Sequence, residues 1–194
     1  DATRGLRAAV RARDALVDQR VAANNQLEAC LEAFWPGANA IFADICSDIA
    51  LAFLERYPTP ACADRLTEQR LAAFLTRHGY SGRRPASELL ERLRSKAAGI
   101  TPGLENHARK AAVIGYIGVI RALNTAIKQL AGEIATQLGE HPDHTIFTSL
   151  PRSGSINAAQ MLAEWGDCRE AYDSPEAVCA LAGRYGIPVQ ALVS

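Results

Sequence analysis

Apolar residues recur at spacings of three and four from Ala2 to Phe34, which is the pattern of an amphipathic helix. The stretch contains no proline, and it stops at Trp35-Pro36-Gly37. It also carries an imperfect seven-residue repeat. One repeat position holds Val10, Val17, Asn24 and Leu31, and the other holds Leu6, Leu27 and Phe34, interrupted by Arg13 and Arg20. We therefore predict one long helix with a coiled-coil-like seam.

A second long helix is predicted from Thr101-Pro102 to about Glu140, because a capping hydroxyl followed by proline is typical of a helix start. Its heptads are the most regular pattern in the chain. One position holds Val113, Ile120, Ile127 and Ile134, and the other holds Tyr116, Leu123, Leu130 and Gln137. This seam could pair with the first helix inside one subunit or with its copy in another, and the spacing leaves both open.

Between the two long helices, the segment 38–100 is divided by proline and glycine into short helices. Thr67 and Pro85 each begin one of them. The buried positions that we predict are Leu71, Phe74 and Leu75 in the first, and Leu89, Leu90 and Leu93 in the second.

After His141-Pro142-Asp143 the pattern changes. We predict a short extended stretch from Thr145 to Leu150, a tight turn, and a helix from Ser155 to Trp165. A further helix is predicted between Ser174-Pro175 and Gly183. His141 and His144 lie beside helix-ending residues, where solvent exposure is expected.

The predicted fold class is all-α, with long coiled-coil helices and a cluster of short helices. A small C-terminal domain resembling a helix-hairpin-helix completes it. Residues 1–141 form the coiled-coil and helical insert in this division, and residues 142–194 form part of the C-terminal domain.

Charge is balanced overall, with 21 basic and 21 acidic residues, so net charge alone indicates neither a nucleic acid nor a membrane. Basic residues are nevertheless concentrated between Arg77 and Lys96. Guanidinium and ammonium groups suit phosphate. We therefore predict nucleic-acid contacts here, and the alternative is a charged helix face that only favours solubility. The candidate residues are Arg83, Arg84, Arg92, Arg94 and Lys96.

The turn before Ser155 is a second candidate for phosphate binding. Unpaired amides at a helix N-terminus favour an anion, and the turn resembles the hairpin of helix-hairpin-helix modules. The candidate residues are Arg152, Ser153, Gly154 and Ser155. The alternative is that Ser155 only caps the helix.

Five cysteines, with no Cys-x-x-Cys pair, argue against a disulfide framework and a zinc site, and a reducing cytoplasm fits best. The longest uncharged apolar run, Ala111 to Ile120, is about half of a membrane span, so no membrane partner is expected. Asp44 and Asp48 share a helix face, but a two-metal nuclease needs ligands from separate elements, so no metal ligand is assigned.

Several stretches resemble the bacterial transposases of insertion-sequence family 110. The most similar run is Ile146-Phe147-Thr148-Ser149-Leu150-Pro151-Arg152-Ser153-Gly154. Upstream, Ile41–Asp44, Ala52–Pro60 and His78–Arg84 are similar to the family's middle region in the same order. The resemblance covers most of the chain.

This resemblance implies an enzyme of three parts: a RuvC-like domain with an acidic DEDD metal site, a coiled-coil insert, and a C-terminal domain with a nucleophilic serine. The chain is similar to the insert and the start of the last part. The acidic tetrad would fall before Asp1, and Ser194 lacks the following glycine of the family's Ser-Gly motif. We therefore assign no catalytic residue and no cofactor to this chain, and we expect a divalent metal only in the RuvC-like domain.

The function implied is DNA transposition directed by a structured guide RNA. DNA, that RNA and further copies of the chain, joined through the coiled coil, are the expected partners. Whether the chain alone has enzymatic activity is left open, and none is expected without the tetrad and the serine. The competing hypothesis is a stand-alone or decayed helical module that only oligomerises.

Overall fold

The computed structural model describes residues 2–96, 103–150 and 153–165. Within these ranges every regular element is a helix and no strand occurs, which confirms the predicted all-α fold class. The helices are α1 (Ala2–Glu32), α2 (Pro36–Ile41), α3 (Asp48–Arg56), α4 (Pro60–Ala63), α5 (Glu68–Arg77), α6 (Ala86–Arg94), α7 (Gly103–Glu140), α8 (His144–Thr148) and α9 (Ser155–Trp165).

The described residues divide into two compact units. The first unit combines the residues up to Asp18 with those from Asn124 onward, and the second comprises those from Gln19 to Leu123. Each of the two long helices, α1 and α7, contributes to both units. The predicted domain boundary between residues 141 and 142 falls within the first unit, and it stays a prediction.

The core of the first unit joins one turn of each long helix to α8 and α9. Its buried residues are Leu6, Val10, Ile134, Leu138, Phe147, Ala158, Ala159, Met161, Leu162 and Ala163. Polar contacts add to this core, because Arg7 Nε donates to the Ala163 carbonyl at 2.7 Å and Gln160 Nε2 lies 3.0 Å from an Asp14 carboxylate oxygen. Small residues on α9 allow its close packing.

The core of the second unit is built around Phe53, which is fully buried. The rings of Trp35, Phe42, Tyr57 and Phe74 lie with their centroids between 5.2 and 6.3 Å from that of Phe53. Such tilted and edge-on arrangements are favourable for aromatic pairs. Aliphatic residues of six helices complete the core, among them Leu27, Leu31, Ile41, Leu51, Leu71, Leu89, Leu93, Val113, Ile117 and Ile120.

The short helices begin at residues that the sequence marks. Thr67 caps α5, because its hydroxyl accepts the Arg70 N–H at 3.3 Å, and Ser47 caps α3 in the same way. Pro36 and Pro60 occupy the first positions of α2 and α4. The predicted inward faces are confirmed, since Leu71, Phe74, Leu75, Leu89, Leu90 and Leu93 are all buried.

The helix α7 confirms the second long helix, and its predicted start at Thr101-Pro102 lies outside the described residues. Of its main heptad series, Val113, Ile120 and Ile134 are buried. By length and composition α7 is the one helix in the described part that could cross a membrane, a test that core helices of soluble proteins also pass. A coiled coil along this seam stays a prediction.

Two expectations were wrong. The stretch Thr145–Leu150 is not extended, because His144–Thr148 forms the helix α8. Its β-branched residues favour a strand, but helical turns place Phe147 in the core of the first unit. His141 is buried rather than exposed, and its Nε2 lies 3.1 Å from the Thr3 hydroxyl. The predicted helix near residues 174–183 lies outside the described residues.

Candidate nucleic-acid interface

The turn between α5 and α6 carries the first predicted interface. Helix α5 ends in a Schellman arrangement, in which Tyr80 N–H donates to the Leu75 carbonyl at 3.0 Å and Gly79 N–H to the Thr76 carbonyl at 3.2 Å. Gly79 has φ of 62°, which glycine adopts without the steric cost that other residues meet. The chain therefore leaves α5 in a defined direction.

The next residues are held by an aromatic contact. A Cβ on Gly82 would lie 2.2 Å from the Tyr80 ring, so the Gly82 backbone lies directly against that ring. The Tyr80 ring in turn meets Phe42 edge-on, with centroids 6.1 Å apart. Because Phe42 belongs to the core, this contact fixes the turn that presents Arg83 and Arg84.

An open groove of about 420 Å³ lies beside this turn. One wall is the segment from Gly79 to Arg84, and the other comes from Phe42–Asp44, Ser47 and Ile49. The carboxylate of Asp44 lines the groove and also bonds within the chain, because its Oδ1 accepts the Cys46 N–H at 2.8 Å. The groove thus combines an aromatic surface with two guanidinium groups and one carboxylate.

Three of the five predicted basic residues have partners within the chain. Arg84 forms an exposed ion pair with Glu88 at 2.9 Å, and Lys96 forms one with Glu32 at 3.3 Å. Exposed pairs of this kind contribute little and exchange readily with other anions. Arg94 differs from these two, since it donates to the Leu66 carbonyl at 2.8 Å and ties α6 to the segment before α5.

The guanidinium groups of Arg83 and Arg92 form no hydrogen bond or ion pair with any residue in the described ranges. Arg83 is exposed, and Arg92 is partly exposed on α6. These two guanidinium groups can therefore meet an external phosphate without giving up an internal contact. The structure places Arg83 and Arg84 on one turn, while Arg92, Arg94 and Lys96 follow on α6 and just after it.

The second predicted interface is the turn before α9. The hydroxyl of Ser153 is buried, and its one proton is shared between the carbonyl oxygens of Phe147 and Leu150, each 2.7 Å from Oγ. Its N–H also bonds to Leu150, so Ser153 holds the turn. Gly154 and Ser155 are exposed at the start of α9, where first-turn amides lack partners within the helix. Arg152 lies outside the described residues.

Other reactive groups have structural partners. His141 Nδ1 accepts the Asp143 N–H at 3.2 Å, so the neutral ring carries its proton on Nε2 and donates to Thr3. Burial raises the pKa of the Cys30 and Cys46 thiols, so neither is an activated nucleophile. In the described part of the chain, no group of three His, Cys, Asp or Glu residues could hold a metal ion.

Comparison with known proteins connects the second interface to a family. The model of the transposase IS116/IS110/IS902 family matches residues 144–187, a range that contains α8, the turn and α9. A Streptomyces coelicolor protein described as the mini-circle transposase for IS117 is 30% identical over 181 residues, which are 89% of this chain. This chain belongs to the IS116/IS110/IS902 transposase family.

The family membership confirms the resemblance seen in the run Ile146–Gly154, which lies wholly within the matched range. The chain spans 43% of the length of the Streptomyces relative. No solved structure matches the chain. The family match is therefore a match of sequence alone, and no solved relative supplies the helical architecture around residues 144–187.

Sequence reasoning missed two residues of the first candidate interface. Tyr80 and Gly82 form the contact that orients the turn, yet only the basic residues after them were selected. The run His78-Gly79-Tyr80-Ser81-Gly82 contained a signal, because two glycines around one aromatic residue indicate a tight, packed turn. Its contact with Phe42, 38 residues earlier in sequence, is a tertiary feature.

Proposed function

We propose that this chain is the helical, nucleic-acid-binding part of a transposase that acts in DNA transposition. It would supply backbone contacts and subunit association, with the cleavage chemistry elsewhere in the protein. The observation that carries the proposal is the family match over α8 and α9. The exposed, unengaged Arg83 at the turn fixed by Tyr80 supports it.

The contacts can be ranked by what each residue already does. Arg83 and Arg92 are the first candidates for phosphate, because neither guanidinium group has a hydrogen bond or ion pair in the described part. Arg84 and Lys96 would exchange an exposed carboxylate for phosphate. Arg94 would contribute mainly by holding α6 in place.

At the second interface, binding would use backbone amides. Gly154 and Ser155 are exposed at the start of α9, and such amides hold a phosphate without reading bases. Ser153 would act by shaping the turn, since its hydroxyl is used internally. Arg152 remains a candidate from the sequence alone.

DNA is the expected partner of a transposase, and a structured guide RNA and further copies of the chain are proposed with it. We place its action in the cytoplasm, without a membrane partner. No cofactor is proposed for this chain, and the divalent metal would belong to a RuvC-like domain. The competing function is a helical module that only oligomerises, which the two long helices would also serve.

The test is binding of the chain to duplex DNA and to structured RNA over a range of salt concentrations. Phosphate contacts release counterions, so the logarithm of the affinity should fall linearly with the logarithm of salt. The double variant Arg83→Ala/Arg84→Ala should reduce that slope by about 2.

The matched control is Arg65→Ala/Lys110→Ala, which removes two exposed positive charges outside the turn. Its slope should remain close to that of the unaltered chain. If both double variants change the slope equally, then only total charge matters and the interface at Arg83 is wrong. If the chain retains neither nucleic acid at low salt, the oligomerisation module is the better function.

A further inference from the structure

The groove beside the turn between α5 and α6 has the size of a site for one nucleotide. Its volume is about 420 Å³. Grooves and clefts of about 300–1,000 Å³ hold small-molecule ligands. A double helix keeps its bases stacked and paired, whereas an unpaired nucleotide can turn its base out of the strand and into such a space. The groove therefore suits a single unpaired nucleotide better than a duplex.

Tyr80 supplies the aromatic wall of the groove. It is partly exposed, and its ring is held by two neighbours. Phe42 meets the ring edge-on, and the backbone of Gly82 lies against its hydroxyl end. A side chain that is already held loses little conformational freedom when a ligand binds to it. Stacking on aromatic side chains is a general means of binding unpaired bases, because every base has a flat face.

The two walls of the groove carry opposite charges. Arg83 and Arg84 belong to the wall formed by the turn, and Asp44 belongs to the other wall. Guanidinium groups attract phosphate. A carboxylate repels phosphate, so the backbone of a strand is not favoured along both walls. The charges instead match a nucleotide whose phosphate meets the arginines and whose base meets Asp44.

Asp44 is an exposed carboxylate that its own loop holds in place. Its Oδ1 accepts the Cys46 N–H at 2.8 Å, and its main-chain carbonyl accepts the Ser47 hydroxyl at 2.6 Å. The Oδ2 atom of Asp44 forms no hydrogen bond or ion pair with any residue that the structure describes. A carboxylate has about four acceptor sites on its two oxygens, so most of them are available to a ligand.

The carboxylate of Asp44 can distinguish between bases. Guanine presents two adjacent N–H donors on its pairing edge, at N1 and at the N2 amino group, and a carboxylate can accept both. Adenine and cytosine present one amino group beside an acceptor nitrogen. Uracil presents one N–H between two carbonyl oxygens. Because a carboxylate repels these acceptor atoms, the groove should prefer guanine.

We propose that the groove between Tyr80 and Asp44 binds one unpaired guanine nucleotide of a nucleic-acid strand. Tyr80 stacks on the base, Asp44 accepts the two N–H donors of its pairing edge, and the two arginines contact the phosphate. The proposal rests on the nucleic-acid part of the proposed function and names the ligand of the first candidate interface.

Fluorescence anisotropy of the whole chain with labelled hexanucleotides at low salt tests the proposal. One hexanucleotide contains only uridylate, and a second has guanylate at its third position. The second should bind about tenfold more tightly, because only guanine makes both hydrogen bonds to the charged Asp44. Inosine at the same position lacks the N2 amino group and should keep only part of this gain.

Thymidylate hexanucleotides with and without one deoxyguanylate form a second series. A preference for guanine in either series supports the proposal. The series that binds more tightly identifies the source of the nucleotide as RNA or as single-stranded DNA, because only RNA offers the 2′-hydroxyl.

Asp44→Asn removes the charge and keeps an oxygen for the Cys46 N–H. This variant should reduce the preference for guanine to less than about twofold without weakening the binding of the uridylate hexanucleotide. The matched control is Asp48→Asn, which removes an exposed carboxylate outside the groove and should leave the preference unchanged.

Tyr80 is tested by a second pair of variants. Tyr80→Leu should weaken the binding of both hexanucleotides about tenfold, because stacking does not depend on the base. Tyr80→Phe keeps the ring and should bind as the unaltered chain does. Circular dichroism should show equal helix content in all four variants.

Three results would overturn the proposal. They are equal affinities for the two hexanucleotides, a preference for guanine that Asp44→Asn leaves intact, and binding of a hexaglutamate peptide as tight as that of the guanylate hexanucleotide. The last result would mean that the groove recognises negative charge alone.

Retention of duplex DNA and structured RNA is measured on the same samples. If the chain retains either with a steep salt dependence but shows no preference for guanine, the proposed function stands and the groove proposal fails. A preference that depends on Asp44, in a chain that retains neither, supports the groove and contradicts the proposed function.

Discussion

Two glycines allow a matched test of how tightly α2 packs on α6. A Cβ on Gly37 of α2 would lie 1.9 Å from the carbonyl oxygen of Leu93 in α6, far inside ordinary contact. A Cβ on Gly118 of α7 would meet nothing within 4 Å. The same substitution, glycine to alanine, should therefore have opposite effects on stability at the two positions.

The magnitudes follow from the competing contributions. Alanine at Gly37 would force α2 and α6 apart by about 1.5 Å, and such overpacking costs about 1–3 kcal/mol. Replacing a helical glycine by alanine returns about 0.5–1 kcal/mol. We expect Gly37→Ala to lose about 1–2 kcal/mol of unfolding free energy, and Gly118→Ala to gain about 0.5–1 kcal/mol.

Thermal unfolding followed by circular dichroism measures both variants. A chain of this size changes its Tm by about 2–4 °C per kcal/mol, so Gly37→Ala should melt about 2–8 °C lower. A Gly37→Ala chain as stable as the original would show that α2 and α6 do not approach this closely. A destabilised Gly118→Ala chain would mean that other residues cover that position.

Three other predictions concern pH, a buried hydrogen bond and the α9 turn. Arg121 donates two hydrogen bonds to Glu55, at 2.8 and 2.9 Å, and these lower the pKa of Glu55. The pair therefore stabilises the fold above the ordinary pKa of the carboxyl group, and this small effect is lost as pH falls through the lowered value. Arg121→Ala should raise the pKa of Glu55 in an NMR titration, and an unchanged value would contradict the assignment. Thr3→Val removes the hydrogen-bond partner of buried His141 and should lower the free energy of unfolding, measured in urea, by about 1–3 kcal/mol. Thr3→Ser keeps the hydroxyl and should lower it less. Equal losses in the two variants would rule out the hydrogen bond as the cause. Ser155→Asp should stabilise α9 by about 0.3–1 kcal/mol, because a carboxylate interacts favourably with a helix N-terminus. The same variant should weaken DNA binding, because the carboxylate repels phosphate. An unchanged affinity for DNA would exclude phosphate from that turn.

The sequence was sufficient for most of the helices. Apolar spacing located α1, α7 and α9, and the hydroxyl of Thr67 marked the start of α5. These features are local, because a helix closes its hydrogen bonds within four residues and its caps lie at its ends. The family resemblance was also readable, since it depends on runs of consecutive residues.

Local patterns misled where tertiary packing outweighs propensity. The β-branched residues of 145–148 favour a strand, but burial of Phe147 stabilises the helix α8 instead. His141 was expected in solvent because it follows a helix end, and it is buried against Thr3 from the other end of the described chain. No local pattern contains a contact between residues 138 positions apart.

The candidate interfaces divide in the same way. The sequence by itself determined which segments are basic, because charge is a property of each residue. Only the tertiary structure decided that the Arg94 side chain bonds to the Leu66 carbonyl and that the Ser153 hydroxyl is turned inward. It also decided that Arg83 is exposed and that its guanidinium bonds to no other described residue. The tertiary structure likewise decided that Val113, Ile120 and Ile134 of the α7 heptads are buried. Periodicity shows that a helix has a face, but what covers that face depends on residues far away in the chain.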